Sequence, residues 1–488
     1  MSSSTLVILS LLIPTIGAAL IPCAHRSPNV REAITIGTAI SLLFVVLQLF
    51  SRVMAGEQPE ASLITVVQGI DIAFAVEPLG MLFALVASGL WIVNSIYSIG
   101  YMRGNNEPRQ TQFYVCFAVA IASTMGIAFS KNLFTLFLFY EILTLSTYPL
   151  VTHKGNEDAR RGGRIYLMLL LTTSMLLLLP AIVATWVLTG TTDFSVGGIL
   201  AGKAEGAVVG ALLAFYAFGI GKAALMPVHK WLPNAMVAPT PVSALLHAVA
   251  VVKAGVFSIL KVVVYIFGID FLAGSGMNEW LLYVAGLTVI LASLIAMTKD
   301  NLKARLAYST VSQLSYIVLG AALATSLGIV GGAMHIAMHG VGKITLFFCA
   351  GAIYTAAHKT EVSELSGLGR AMPFTFAAFF IGALSIVGLP PTGGLWSKWY
   401  LALGALDANQ IGILAVLMIS SLLNIAYLMP IPIKGFFGKT GKREKTPVKI
   451  KEAPLACLIA IGATSLMCIV LFFFPGTVYD LATMIKLR

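Results

Sequence analysis

The chain has 488 residues, of which 58% are hydrophobic and only 10% charged. Surface charge that scarce cannot solvate a globule of this size, which excludes a soluble enzyme core or a disordered chain and points to a polytopic helical membrane protein. A net charge of +11 would suit nucleic acid in a soluble protein, but most of the basic residues lie in short segments between oily runs, where they set topology, and no nucleic-acid partner is expected.

A bilayer-spanning helix needs about 20 apolar residues. By that measure the chain offers about fourteen spans, making it an all-α polytopic protein with a single integral membrane domain. The first seven are Leu6–Ile21, Ala33–Leu49, Leu79–Ile99, Phe113–Phe129, Leu133–Val151, Ile165–Leu188 and Ala207–Met226. The rest are Val242–Phe267, Leu281–Met297, Leu306–Ala324, Ile329–Ala357, Phe374–Leu406, Gly412–Leu428 and Leu455–Phe474. The opening run carries no basic n-region and reads as a retained span rather than a cleaved signal. The five cysteines show no CxxC or Cys/His spacing, so neither a metal nor a cluster cofactor is expected.

Lysine and arginine test this map. Twenty of the 31 basic residues fall in odd-numbered loops, among them Arg26, Arg103, Arg161, Lys303, Lys359 and the Lys434–Glu452 stretch. Even-numbered loops hold only Arg52, Lys131 and Lys203. The bias places the odd loops in the cytoplasm and both termini on the opposite side of the membrane. The Lys434–Glu452 loop is a topology signal on which anionic lipid or a partner subunit could dock.

Six cations remain within or against spans: Lys222, Lys230, Lys253, Lys261, Lys343 and Lys398. Lys230 is placed near a span end and Lys261 is expected to snorkel to the interface. Of the acids only Glu141, in LFLFYEILTLSTYPL, sits well inside a span; Asp71 and Glu77 read as interfacial. A charge at the bilayer centre costs roughly 2.5–3.5 kcal/mol on insertion scales, so each such group calls for a partner, water or a function. Glu141 and Lys222 form the natural pair, either as a static pin between helices or as a switch that alters the proton affinity of its neighbours.

In span eleven His335, His339 and Lys343 recur at i, i+4 and i+8, one helix face over roughly 12 Å, and three titratable groups in one stripe favour a proton relay. An HxxxH pair could hold a metal, but no third ligand is evident. His247 and Lys253 in span eight are six residues apart and would sit at different depths of one hydrated passage. Pro227 and Pro390–Pro391 each break a span, with Lys222 just before the first break and Lys398 just after the second. Paired breaks of opposite order are the mark of inverted-repeat transporters.

The segments LPNAMVAPTPVSALLHAVAVVKAGVF, HIAMHGVGKITLFFCAGAIY and GLPPTGGLWSKWY together resemble the antiporter-like subunits of respiratory complex I, of membrane-bound hydrogenases and of Mrp-type multisubunit Na+/H+ antiporters. The resemblance implies fourteen transmembrane helices with two inverted five-helix repeats, broken in spans seven and twelve. The corresponding segments are 1–105 (N-terminal helices), 110–267 (first repeat), 279–430 (second repeat) and 431–488 (basic loop and last helix). It also implies a proton path through Glu141, Lys222, His247, Lys253, His335, His339, Lys343 and Lys398, with a Glu–Lys switch. Length and the span-twelve lysine resemble the D subunit of Mrp antiporters, while APTPVSALLHA resembles the larger A-type or distal complex I subunits. The expected function is proton translocation within a multisubunit cation/proton antiporter. The alternative is a proton-pumping subunit of a complex I-like oxidoreductase or hydrogenase. In either case the partners are other membrane subunits, redox chemistry belongs to those partners, and one deep carboxylate among lysines is a poor Na+ site.

Overall fold

The computed structural model describes residues 1–67, 69–438 and 449–485. Among them eleven helices are long and apolar enough to cross a membrane, so the chain is a multi-pass membrane protein. In order these begin with α1 (Ser3–Leu20), α2 (Pro28–Met54), α3 (Pro78–Gly104), α4 (Gln110–Ala128), α5 (Leu133–Val151) and α6 (Glu157–Thr189). A short apolar helix, α7 (Ala207–Gly219), precedes α8 (Thr240–Phe267), α9 (Glu279–Thr298), α10 (Leu302–Ala322) and α11 (Ser326–Ala357). Two half-length helices, α12 (Pro373–Val387) and α13 (Gly394–Asp407), lead to α14 (Ile411–Phe437) and α15 (Leu455–Phe473). The middle of the basic loop, including Lys439, Lys442, Arg443 and Lys445, lies outside the described residues, as do Lys486 and Arg488.

Helix starts follow local chemistry. The side chains of Asn132, Asn156, Asn301 and Thr325 each accept the backbone N–H three residues on, opening α5, α6, α10 and α11. The all-α expectation needs one correction: Glu60–Val67 and Ile70–Ala75 form an antiparallel hairpin, β1 and β2. It is tied to the start of α5, where Thr135 Oγ1 accepts the Ala73 N–H and Asn132 Nδ2 donates to the Asp71 carbonyl.

Burial separates two helices from the rest. The most apolar windows of α8 and α11 are wholly buried, whereas in the other spanning helices 33–72% of that window is buried. The remaining helices therefore sheathe these two, and the charges that α8 and α11 carry face protein, not lipid. α11 touches α3, α8, α10, α12, α13 and α15. Between loops, Glu32 receives a bidentate clamp from Arg103 at 3.0 and 2.5 Å, so two arginine-bearing odd loops are bound together there.

Both expected breaks are present, but the first begins earlier than the proline suggests. α7 stops at Gly219, and the chain passes through a 3-10 turn at Gly221–Ala223 and a left-handed Ala224 before reaching Pro227. Lys222 thus lies in the break itself, not before it. Gly255 of α8 makes this possible, since a Cβ there would fall 2.3 Å from Ala223 N and from Lys222 C. At the second break, a Cβ on Gly394 would lie 1.8 Å from the Ser385 carbonyl oxygen.

Candidate functional site

The unwound backbone at Lys222 is paired by protein groups. The Lys222 N–H donates to the Tyr140 hydroxyl at 3.0 Å, and Trp231 Nε1 donates to the Gly221 carbonyl at 2.9 Å. The Lys222 ammonium donates to the Tyr140 carbonyl at 2.8 Å and to Thr144 Oγ1 at 2.6 Å, and lies 3.1 Å from the Tyr140 ring centroid. Glu141 is the next residue along α5, yet it makes no ion pair with Lys222. Both of its carboxylate oxygens are covered and find no hydrogen-bond partner among the described residues. Lys222 thus contacts the turn of α5 that carries Glu141, and the direct contact expected of the pair is replaced by the flanking Thr144 hydroxyl and Tyr140 carbonyl.

α8 and α11 carry the rest of the site. Lys253 Nζ lies 2.6 Å from His339 Nδ1, joining the two helices at their most enclosed level. The His339 ring stacks on His335 with centroids 5.6 Å apart, and His335 stacks at 5.6 Å on Tyr316 of α10. His335 Nδ1 also pairs with Ser397 Oγ of α13 at 2.8 Å. One turn on from the second break, Lys398 places its ammonium 4.9 Å from the Tyr316 ring centroid and donates to the Val387 carbonyl at 2.9 Å. That contact caps the C-terminal end of α12, where orphan carbonyls and the helix dipole favour a cation.

The stripe His335–His339–Lys343 is continuous along α11, but its third member turns aside. The Lys343 ammonium donates to Ser309 Oγ of α10 at 2.6 Å, and Tyr427 of α14 donates to the same oxygen at 2.8 Å. His247 lies in a π-helical turn, Leu245–Val249, a local widening that often marks functional positions. Its ring packs 4.5 Å from that of Phe347, one helical turn from Lys343. Since His247 meets Phe347 while Lys253 meets His339, the helices run antiparallel, and the order in depth is His247, Lys343, Lys253 with His339, then His335.

Buried polar atoms without a hydrogen-bond partner among the described residues gather along this row: both ring nitrogens of His247 and Nε2 of His335 and of His339. Buried polar groups of this kind are normally satisfied by ordered water. Lysines, histidines and hydroxyls in a buried row are groups with the chemistry to take up and give up protons. No group of three or more His, Cys, Asp or Glu able to hold a metal occurs among the described residues.

Of the two cations expected at the interface, one departs from expectation. Lys230 is exposed, in keeping with a span end. Lys261 is buried, with its ammonium 3.0 Å from Glu77 Oε1 and donating to the Ser130 carbonyl at 2.7 Å. It does not snorkel to water but pairs with Glu77, the residue immediately before α3, which keeps the interfacial position expected of it. The signal that could have found it is the eight-residue spacing from Lys253 on one helix, with a carboxylate at the head of a neighbouring span.

A helical membrane protein whose two innermost helices are lined by titratable side chains is the class that fold and site define. The chain belongs to the family described as NADH:quinone oxidoreductase/Mrp antiporter, TM, whose model matches residues 130–424. It is 32% identical over 418 residues to NADH-quinone oxidoreductase subunit N of Desulforudis audaxviator, covering 83% of this chain and 82% of that one. It is also 32% identical over 437 residues to the A-type Na(+)/H(+) antiporter protein of Alkalihalophilus pseudofirmus, covering 84% of this chain but 53% of that protein. Among solved structures, a chain of the Mrp complex from a Dietzia species superposes with a TM-score of 0.88 at 22% identity, covering 99% of this chain and 97% of that one. A chain of the membrane-bound sulfane sulfur reductase, an archaeal respiratory membrane complex, gives 0.86 at 24% identity, covering 98% and 96%.

Proposed function

We propose that the chain is the proton-translocating subunit of a multisubunit monovalent cation/proton antiporter. The observation that carries the reading is the Lys253–His339–His335 line on the two helices whose most apolar windows are wholly buried. Membership of a family that includes antiporter subunits supports it. The partners are other membrane subunits. A pumping subunit of a complex I-like or hydrogenase complex is the second reading, favoured by the similarity to subunit N over most of both chains. The lysine at Lys398 favours an antiporter subunit of the D type.

In this reading fourteen helices span the membrane: the eleven long ones, α7, α10, and α12 with α13 as one broken span. Segments 110–267 and 279–430 are inverted repeats, each broken in its fourth helix. In support, the second helix of each repeat opens with an asparagine cap, Asn132 and Asn301, and each forms an isolated bridge to a later loop, at Asp193 and Glu361. Both termini lie on the non-cytoplasmic side. Glu141 and Lys222 act as the switch: with the ammonium held by Tyr140 and Thr144 the carboxylate is free, and its approach to the carboxylate changes the proton affinity of the row. Na+, if carried, passes through a neighbouring subunit.

The test is ΔpH-driven exchange in vesicles containing the assembled complex. Glu141→Ala and Lys222→Ala should each abolish exchange while assembly survives; full activity in either contradicts the switch. Identifying the co-purified subunits separates the two readings, since iron–sulfur proteins would favour the redox machine.

A further inference from the structure

We propose that the Glu77–Lys261 pair is a proton-exchange gate, linking the buried row to the membrane face formed by the even-numbered loops. The inference rests on the proton-translocating reading above and adds to it a mouth and a direction. Its first support is geometric: the pair borders a cavity of about 130 Å³ whose wall also includes Ser130, Lys131, Phe194 and Tyr265. These residues come from the hairpin side of α3, the α4–α5 turn, the loop after α6 and the end of α8, so every contributing loop is even-numbered.

The second support is the setting of Glu77. Its carboxylate oxygens are covered, the Lys261 ammonium lies 3.0 Å from Oε1, and the Tyr265 hydroxyl stands against the same carboxylate at the cavity wall. A second pair, Glu60–Lys131 at 2.6 Å, stands half-exposed at the cavity rim. Asp71 and Asp193 lie close enough to Lys131 to act on it electrostatically. Acid–base pairs thus occur in series, one wet and one enclosed.

The third support is continuity. Lys261 lies eight residues beyond Lys253 on α8, two turns or about 12 Å along the axis, with buried Ser258 between them. At the other end of α8, Thr240 borders a cavity of about 160 Å³ whose wall includes Lys154, Lys303 and Lys359, all from odd-numbered loops. One wholly buried helix therefore runs between cavities on opposite faces, with His247, Lys253 and Lys261 along it.

The step balances within the pair. An N–H bond of the Lys261 ammonium breaks and an O–H bond forms on Glu77, leaving amine and carboxylic acid. The acid releases its proton to cavity water, and the amine takes the next one from the Lys253 side. Arginine at this place would keep the ion pair but could not release a proton near neutral pH. Tyr265 and the Phe194 ring, 4.5 Å from the Lys261 ammonium, wall the pair from lipid.

The experiment compares Lys261→Arg, Lys261→Ala and Glu77→Gln with the unaltered complex in vesicles, reading proton flux and assembly of the complex together. Lys261→Arg is expected to assemble normally and lose at least tenfold in flux, as are the other two variants wherever they assemble. Flux retained in Lys261→Arg overturns the gate and leaves the pair structural, while an unaltered complex that moves no protons overturns the underlying reading instead. In a Cys23→Ser background, Val196→Cys at the rim (43% exposed) should be blocked by an impermeant thiol reagent only from the face opposite the basic loops. Blockage only from the basic-loop side overturns the assigned direction.

Discussion

Lys253 of α8 and His339 of α11 meet at 2.6 Å, Nζ to Nδ1, inside the two helices that the remainder of the protein encloses. An ammonium can donate to a neutral imidazole, and a neutral amine can accept from an imidazolium, so either proton arrangement preserves the bond. A contact tolerant of both states suits transfer better than fixation.

Lys253→Met or His339→Phe should lower proton flux by about a hundredfold or more, the range lost when a positioned acid–base group is removed. Flux measured by a pH-sensitive dye in vesicles checks this. Lys253→Arg is expected to fail similarly, because guanidinium does not give up its proton.

Thr144 gives a subtler readout. It accepts from the Lys222 ammonium at 2.6 Å, and Thr144→Val keeps the shape while removing that acceptor. Losing a hydrogen bond to a charged group costs about 1.5–3 kcal/mol. Released from that site, Lys222 should move toward Glu141, and the pH at which exchange is half-maximal should shift. An unchanged profile would show that Thr144 does not hold the switch.

Gly255→Ala should compromise folding directly. The added methyl would fall 2.3 Å from backbone atoms of Ala223 and Lys222, where nothing flexible can yield. Overpacking of this kind typically costs roughly 1–3 kcal/mol, and its signature is reduced assembly and a lower melting temperature of the purified complex.

The loop between α5 and α6 carries a pH effect of known sign. Burial, then the positive charge of Arg109, brings the His153 imidazole down to about 4 from its usual 6.5, whereas burial pushes the nearby Glu107 carboxyl up. Their 3.9 Å approach has the distance of an ion pair, but burial works against the charged form of each. Unfolded chains take up a proton on this histidine near pH 6.5 and the folded protein does not until about pH 4. Stability from this site is therefore full above pH 6.5 and falls as pH drops from 6.5 toward 4. Thermal melts across that window should show a smaller decline in His153→Phe than in the unaltered chain.

Much of this was legible in the sequence because membrane burial makes polar residues conspicuous. Lys222, Lys253, Lys343 and the two α11 histidines stand out in apolar runs, and all are enclosed as their positions imply. What escaped was geometry between segments. Periodicity placed Lys343 with the histidines, yet Ser309 on a different helix draws its ammonium away. Pro227 marked the first break, but the helix ends earlier, where Gly255 allows two backbones to meet and Tyr140 and Trp231 satisfy the freed groups. The hairpin was signalled locally by the β-branched run Ile64–Thr65–Val66 and the alternation of Ile70, Ile72 and Phe74 across Gly69. In a chain dominated by span-length runs that short pattern is easily overshadowed. Lys261 looked free to snorkel because nothing in sequence brings Glu77, 184 positions away, to its side.

The central claim is that the row on α8 and α11 conducts protons, and its most direct test is passive proton flux through the assembled complex in vesicles under an imposed ΔpH, with and without Lys253→Met. The account predicts flux in the unaltered complex and a loss of about a hundredfold or more in a variant that assembles normally. Equal flux in the two would place the proton path elsewhere in the complex.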